Sequence, residues 1–229
     1  MTLQSQLKLL RLHLLDMSKL SHRALDYAIK GYRLGSPEFS RYVRRGAPQF
    51  VELRCGITSL CEKLLMQDSV VDSESPSHGL AVHPDMRFPL VALRICDALD
   101  AVCTATAEIA HHTMLLLENG CLPGSEALEE ICFLVNRLMS LSILALFKKE
   151  PRYAETVVYN RDITTLFERA LTNLRLDIKR QAAIPAALEL AITNSLRQIA
   201  RQTQEIAAAV LFWIEGRTYT VETAAIATS

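Results

Sequence analysis

The sequence predicts an all-α protein of six helices, arranged as two tandem pseudo-symmetric three-helix bundles. Three observations carry this. Apolar residues recur at three- and four-residue spacing along most of the chain, the period of one helical face. Glycine and proline are scarce, eight of each in 229 residues, which argues against an all-β or disordered chain. EIAHHTMLLLEN (Glu108–Asn119) also returns 97 residues later as EIAAAVLFWIEG (Glu205–Gly216), with the same spacing from the opening Glu-Ile-Ala to the closing glutamate.

Each element has its own signal. Leu3, Leu7, Leu10, Leu14 and Met17 step along one face that Ala24, Leu25 and Ala28 continue, which predicts a long first helix. Ser36-Pro37 then supplies a cap and a first-turn proline for a second helix, whose apolar positions run from Phe39 to Leu64. Gly46-Ala47-Pro48 lies within it and predicts a kink or break, because proline lacks the backbone donor and crowds the preceding turn. Residues 67–84, with a Ser-Glu-Ser-Pro-Ser centre, read as a polar loop that should be the least ordered internal segment. A third helix follows from about Asp85–Pro89 to Glu118, and Gly120, Pro123 and Gly124 end it. A fourth covers about Ser125–Lys149, a fifth runs from Pro151 to about Arg180, and a sixth has Pro185 near its start and ends at Gly216.

The repeat extends to the other helices. Pro37-x5-Val43 recurs as Pro151-x5-Val157, an offset of 114 that also relates Leu14 to Leu128, Leu25 to Met139 and Ile29 to Ile143. The difference between the two offsets is about the length of the polar loop, so one half carries an insertion. The expected units are 1–122 and 123–216, followed by a Thr/Ala-rich tail at 217–229.

Composition narrows the function classes. The chain has 25 basic and 25 acidic side chains, so it lacks the net positive charge of a dedicated nucleic-acid binder. No stretch approaches the ~20 uninterrupted apolar residues of a membrane span, and charges break the leucines of the N-terminus, so a cytoplasmic protein is expected. The six cysteines contain no Cys-x-x-Cys and read as small buried hydrophobes. No nucleophile–base set or glycine-rich phosphate loop is present, which argues against an enzyme. The apolar content, half of the residues, predicts a homodimer.

Met17–Val43 (MSKLSHRALDYAIKGYRLGSPEFSRYV), the ladder Phe50–Leu53–Ile57–Cys61–Leu64 and Asp85–Ala110 (DMRFPLVALRICDALDAVCTATAEIA) resemble the PhoU family of phosphate-uptake regulators, and Pro151–Val157 with Leu196–Gly216 resembles its second repeat. The resemblance spans nearly the whole chain. It implies two three-helix bundles, no catalysis, and a cytoplasmic adaptor that damps phosphate uptake beside the phosphate transporter and its sensor kinase at the inner face of the membrane.

It also implies a metal site on the third helix of each unit, where an acidic residue is followed four positions later by aspartate. Here the first copy keeps Asp100 but has Thr104, and the second has Arg197 and Arg201. Ala47 and Val51 stand where the second helix would supply further acids. Two carboxylates one turn apart, Asp97 and Asp100, make at most a weak site for one divalent ion, since a cage needs more oxygen ligands. Glu108-x-x-His111 is half of a di-iron motif whose repeat reads Glu205-x-x-Ala208. No cofactor is therefore expected.

Arg197 and Arg201, one turn apart, form a candidate anion- or partner-binding face, with Lys179 and Arg180 nearby in sequence and Asp97/Asp100 as a complementary acidic face. Glu205, four residues past Arg201, is a candidate intrahelical partner for it. A second functional reading is thus a ligand-sensing module for phosphate or a phosphate-bearing small molecule. The metal expectation has a direct check. Elemental analysis of gently purified protein should find no stoichiometric iron, zinc or manganese, and two or more tightly held metals per chain would overturn the placing of Arg197 and Arg201 at the second site.

Overall fold

A computed structural model of the chain describes residues 2–71, 84–121, 125–179, 183–216 and 218–219. Among them are eight α-helical segments and no strand: α1 (Leu3–Leu34), α2 (Pro37–Arg45), α3 (Ala47–Val71), α4 (Pro84–Glu118), α5 (Glu126–Lys148), α6 (Pro151–Val158), α7 (Asp162–Lys179) and α8 (Ala183–Glu215). The six-helix order survives, because each proline-started helix is simply divided in two. α2 passes into α3 at Gly46, with Pro48 in the first turn of α3 where its missing donor costs nothing. The break in the second half, at Tyr159–Arg161, was not legible. There Val158 ends α6, and the Asn160 side chain accepts a hydrogen bond from the Ile163 amide at 3.2 Å to start α7.

The caps follow chain chemistry. Thr2 and Ser125 accept hydrogen bonds from the amides of Ser5 and Leu128. α1 ends at Gly35, whose φ of 58° is left-handed, and the Ser36 amide returns to the Gly31 carbonyl at 3.1 Å. Ser36 occupies the position expected of a cap for α2 but makes no side-chain capping bond; Pro37, with its preset φ, is what starts the helix. Gly31 lets α2 lie close on α1, since a Cβ there would meet Phe39 Cβ at 3.2 Å.

Both ends of the expected loop at 67–84 are helical. α3 continues to Val71 and α4 begins at Pro84, while 72–83 lie outside the described residues. So does the tail, apart from 218 and 219; the Tyr219 hydroxyl donates to the Glu215 carboxylate.

One contiguous core runs through both halves. Its centre is the pair α4 and α8, the most extensive helix contact in the molecule. The contacts Phe88–Trp213, Arg94–Glu205 and Glu108–Ser195 run in opposite order along the two helices, which are therefore antiparallel. Both helices bury alanines as well as large apolar residues, Ala92, Ala98 and Ala105 on α4 and Ala200, Ala207 and Ala208 on α8. Helices α1, α2 and α3 pack on α4, and α5, α6 and α7 pack on α8.

α1 also meets α5, and there His22 Nε2 lies 2.9 Å from Asn136 Oδ1. These two residues are 114 apart, the repeat offset of that region, so equivalent positions of the two halves touch each other. α5 is long and apolar enough to cross a membrane by length and composition, which the sequence reading did not anticipate. Its Leu128, Ile131, Val135, Leu138 and Met139 are nonetheless buried against the bundle.

Leu196 is fully buried on α8 at the centre of this arrangement. Leu196→Ala should destabilise the fold by about 2–5 kcal/mol through lost burial and a residual cavity, read as a lower denaturation midpoint with an unchanged urea dependence.

Candidate functional site

The third-helix positions of the two units fall on α4 and α8. Because these helices are antiparallel, Asp100 lies at the level of Arg201, and Thr104 at the level of Arg197. The charges at these positions are used differently in the two halves.

In the first half the Asp100 carboxylate does not reach across to α8. It pairs with Arg54 of α3, with Nη1 to Oδ2 at 2.9 Å, about half of the Arg54 side chain remaining in solvent. Thr104 turns its hydroxyl back to the Asp100 carbonyl at 3.1 Å. Asp97 is exposed. The residues do not fit a multinuclear metal site: the surviving carboxylate already faces a guanidinium, the hydroxyl is committed to the backbone, and no group of three or more His, Cys, Asp or Glu converges among the described residues. Val51 of α3, where an acid would be needed, is 56 % exposed.

In the second half Arg197 is half-buried and Arg201 exposed. Neither has an ion-pair or hydrogen-bond partner among the described residues. Glu205, expected beside Arg201, instead pairs with Arg94 of α4 at 3.8 Å. Its equivalent in the repeat, Glu108, accepts a 2.9 Å hydrogen bond from the Ser195 hydroxyl of α8. Both repeated glutamates thus reach across the α4–α8 seam to the other half. His111 is exposed and His112 half-buried, with their rings adjacent at 5.5 Å. Lys179 and Arg180, the other members of the predicted basic face, have no described side chains. In the basic run Arg41–Arg45 only Val43 is buried, and Tyr42 stacks on Tyr27 while Arg45 lies over it.

Two features escaped the sequence reading. Tyr32, at the end of α1, is buried and donates to Glu189 of α8 at 2.9 Å; burial and the adjacent carboxylate raise its pKa far above the ordinary phenol range. At the end of the bundle where α5 and α8 terminate, Lys149 lies 4.4 Å from the Trp213 ring centre and Arg11 5.8 Å from it. Arg11 also donates to the Phe147 carbonyl at 2.7 Å, which neutralises the negative end of α5. Burial and the neighbouring Arg11 hold the Lys149 ammonium below its usual pKa. No local spacing links Tyr32 to Glu189 or Arg54 to Asp100.

The cysteines are all free, but not all are buried: Cys61, Cys96 and Cys132 are, Cys103 and Cys121 are partly so, and Cys55 is exposed. Burial pushes the Cys61 and Cys132 thiols up to about 12, and those of Cys96 and Cys103 to about 11.

No protein-family model and no curated protein matches the chain. Solved structures do. The crystal structure of PhoU from Pseudomonas aeruginosa superposes with a TM-score of 0.84 at 18 % sequence identity, over 94 % of this chain and 100 % of that one. The phosphate transport system regulatory protein PhoU from Streptococcus pneumoniae gives a TM-score of 0.81 at 16 % identity, over 96 % of this chain and 100 % of that one. The class is therefore an all-α helical bundle, and the particular fold is that of PhoU.

The thiols supply a test of this packing. Cys55 should react rapidly with an aromatic disulfide reagent at mildly alkaline pH, and Cys61, Cys96 and Cys132 only after unfolding. Burial holds their folded pKa values above the ordinary thiol value of 9.0, so from about pH 9 to 11 the unfolded chain releases protons that the folded chain keeps. Stability should fall as pH rises through that window, and substituting the three buried cysteines by alanine should flatten the fall in chemical denaturation.

Proposed function

We propose that this chain is a non-enzymatic, cytoplasmic regulator of phosphate uptake and phosphate signalling, acting as an adaptor through contact with transporter or sensor-kinase components at the inner face of the membrane. The observation that carries the reading is the full-length correspondence with two PhoU structures, one of them described as a phosphate transport system regulatory protein. The repeat division at 122/123, the tail from 217 and a homodimeric state belong to the same reading. So does the absence of a resident cofactor, with Asp97 and Asp100 able to attract no more than one weakly held divalent ion. An adaptor of this kind works by presenting charge and shape. On this reading Asp100, paired with Arg54, and the Arg197/Arg201 pair are the charges assigned to that role.

The direct test is genetic. A strain lacking the protein should import phosphate faster than its parent in phosphate-replete medium, and the restored gene should return uptake to the parental rate. Equal uptake in the two strains would refute the reading.

A second reading, a sensor of phosphate or a phosphate-bearing small molecule, is favoured by one feature: Arg197 and Arg201 stand one helical turn apart without described partners, a spacing suited to a dianion. Calorimetric titration with inorganic phosphate and with nucleotides separates the two readings. On the sensor reading Arg197→Ala with Arg201→Ala should abolish the heat of binding without changing the helical circular dichroism. An adaptor should give no heat with either ligand.

A further inference from the structure

We propose that the outer face of α5 is a self-complementary docking surface for a second copy of this chain, packed antiparallel about Ser140. A homodimer is part of the reading above; the face that forms it is not, and nothing in its argument depends on phosphate.

The inference starts from what α5 leaves uncovered. Its inner face is buried against α1, α6, α7 and α8. Its outer face carries Phe133, at 72 % the most exposed large apolar side chain among the described residues, and Phe147 at 54 %. At about 100° per residue these two fall within about 40° of one line along the helix, with Arg137, Ser140 and the half-buried Leu144 between them. Two exposed phenylalanines on one line of a bundle helix form a contiguous apolar strip, unlike singly scattered surface residues.

The strip has a charge gradient. Its N-terminal end carries the exposed Glu126, Glu129 and Glu130, and its C-terminal end carries Lys148, while Arg152, following in α6, is paired with Glu150 at 2.7 Å. A face that is acidic at one end, aromatic in the body and basic at the other complements itself when inverted, the property required of a two-fold interface. A parallel copy would instead set the glutamates against glutamates.

The positions of the aromatic residues fix the register. Inversion about Ser140 places Phe133 opposite Phe147 of the second copy, and the same inversion repeats the contact at the other end. It also brings Glu130 within about two residues, roughly 3 Å along the axis, of Lys148 of the second copy, on the same side of the strip. Glu130's contact within its own chain, to Arg169, is long at 3.8 Å and exposed, so its carboxylate can accept a second cation. Among the described residues of its own chain Lys148 faces the ring of Tyr153, at 5.7 Å, and no carboxylate. The aromatic contacts supply the burial and the charge pairs set the direction.

Sedimentation velocity across the micromolar range, with circular dichroism as a check on folding, tests the proposal. The wild-type chain should sediment as a dimer, and Phe133→Glu should raise its dissociation constant at least about tenfold. Glu130→Lys and Lys148→Glu should each weaken the dimer, and the two reversals in one chain should restore it. A monomeric wild type, or a dimer indifferent to Phe133→Glu, overturns the proposal; failure of the double reversal to rescue overturns the antiparallel register. Co-sedimentation of a monomeric wild type with phosphatidylglycerol vesicles, lost in Phe133→Glu, would assign the strip to a lipid surface and overturn it as well. Mass alone is read in the dimer arms, so failure here leaves the phosphate-uptake test of the adaptor reading unaffected.

Discussion

The seam between α4 and α8 is the constraint on which the other helices depend. These two helices, each of more than thirty residues, make the most extensive helix contact in the molecule, and both bury a continuous apolar face. Their contact buries apolar side chains from both halves in one core, so neither half completes its interior without the other. Hydrophobic burial of this kind has no direction of its own. Direction comes from the polar rim, where Glu205 meets Arg94 and Glu108 meets Ser195, each glutamate reaching to the opposite half. The recurrence of Glu-Ile-Ala 97 residues apart thereby acquires a physical meaning: each copy supplies one side of the same contact. The remaining helices then take their places, three on each side of the seam.

That geometry brings the third-helix charges of the two halves to the same height without joining them. Asp100 is held by Arg54 from its own side of the bundle, and Arg197 and Arg201 keep no described partner. A half-exposed ion pair such as Arg54–Asp100 contributes little to stability, so its consequence is electrostatic. It places a fixed cation beside the surviving carboxylate. In the second half, two guanidiniums stand where the PhoU-like pattern would place carboxylates. The first half thus keeps a carboxylate paired with a cation, and the second presents two cations.

The ends of the bundle show how like charges are tolerated. Arg11 and Lys149 both lie over Trp213 near the C-terminus of α5, and the carbonyls there together with the indole face offset their repulsion. Tyr32 and Glu189 form a buried bond between α1 and α8, satisfied because the phenol keeps its proton. These contacts join elements far apart in the chain and hold the two halves in register outside the apolar core.

The sequence by itself determined the helical class, the order of the helices, the repeat and most of the buried face. Each of these follows from local periodicity, from proline at a first helical turn and from an apolar pattern that returns at a fixed offset. Leu10, Leu14, Met17 and Leu25 are buried as their spacing requires, and Val43 and Val157 are buried at equivalent places after Pro37 and Pro151. The departures are local. α3 continues through part of the polar stretch, and the second proline-started helix divides after Val158 because the Asn160 cap starts a new helix, a bond visible only in three dimensions. Cys55 is exposed, which composition cannot report. Of the candidate site, the sequence named Asp97, Asp100, Arg197 and Arg201. Only the tertiary structure decided their partners: Arg54 took Asp100, and Arg94 took Glu205 in place of the neighbour four residues away. The physical reason is that spacing along one helix fixes which side chains share a face, whereas the cation that meets a carboxylate is set by the approach of a second helix, and nothing in local sequence encodes that distance.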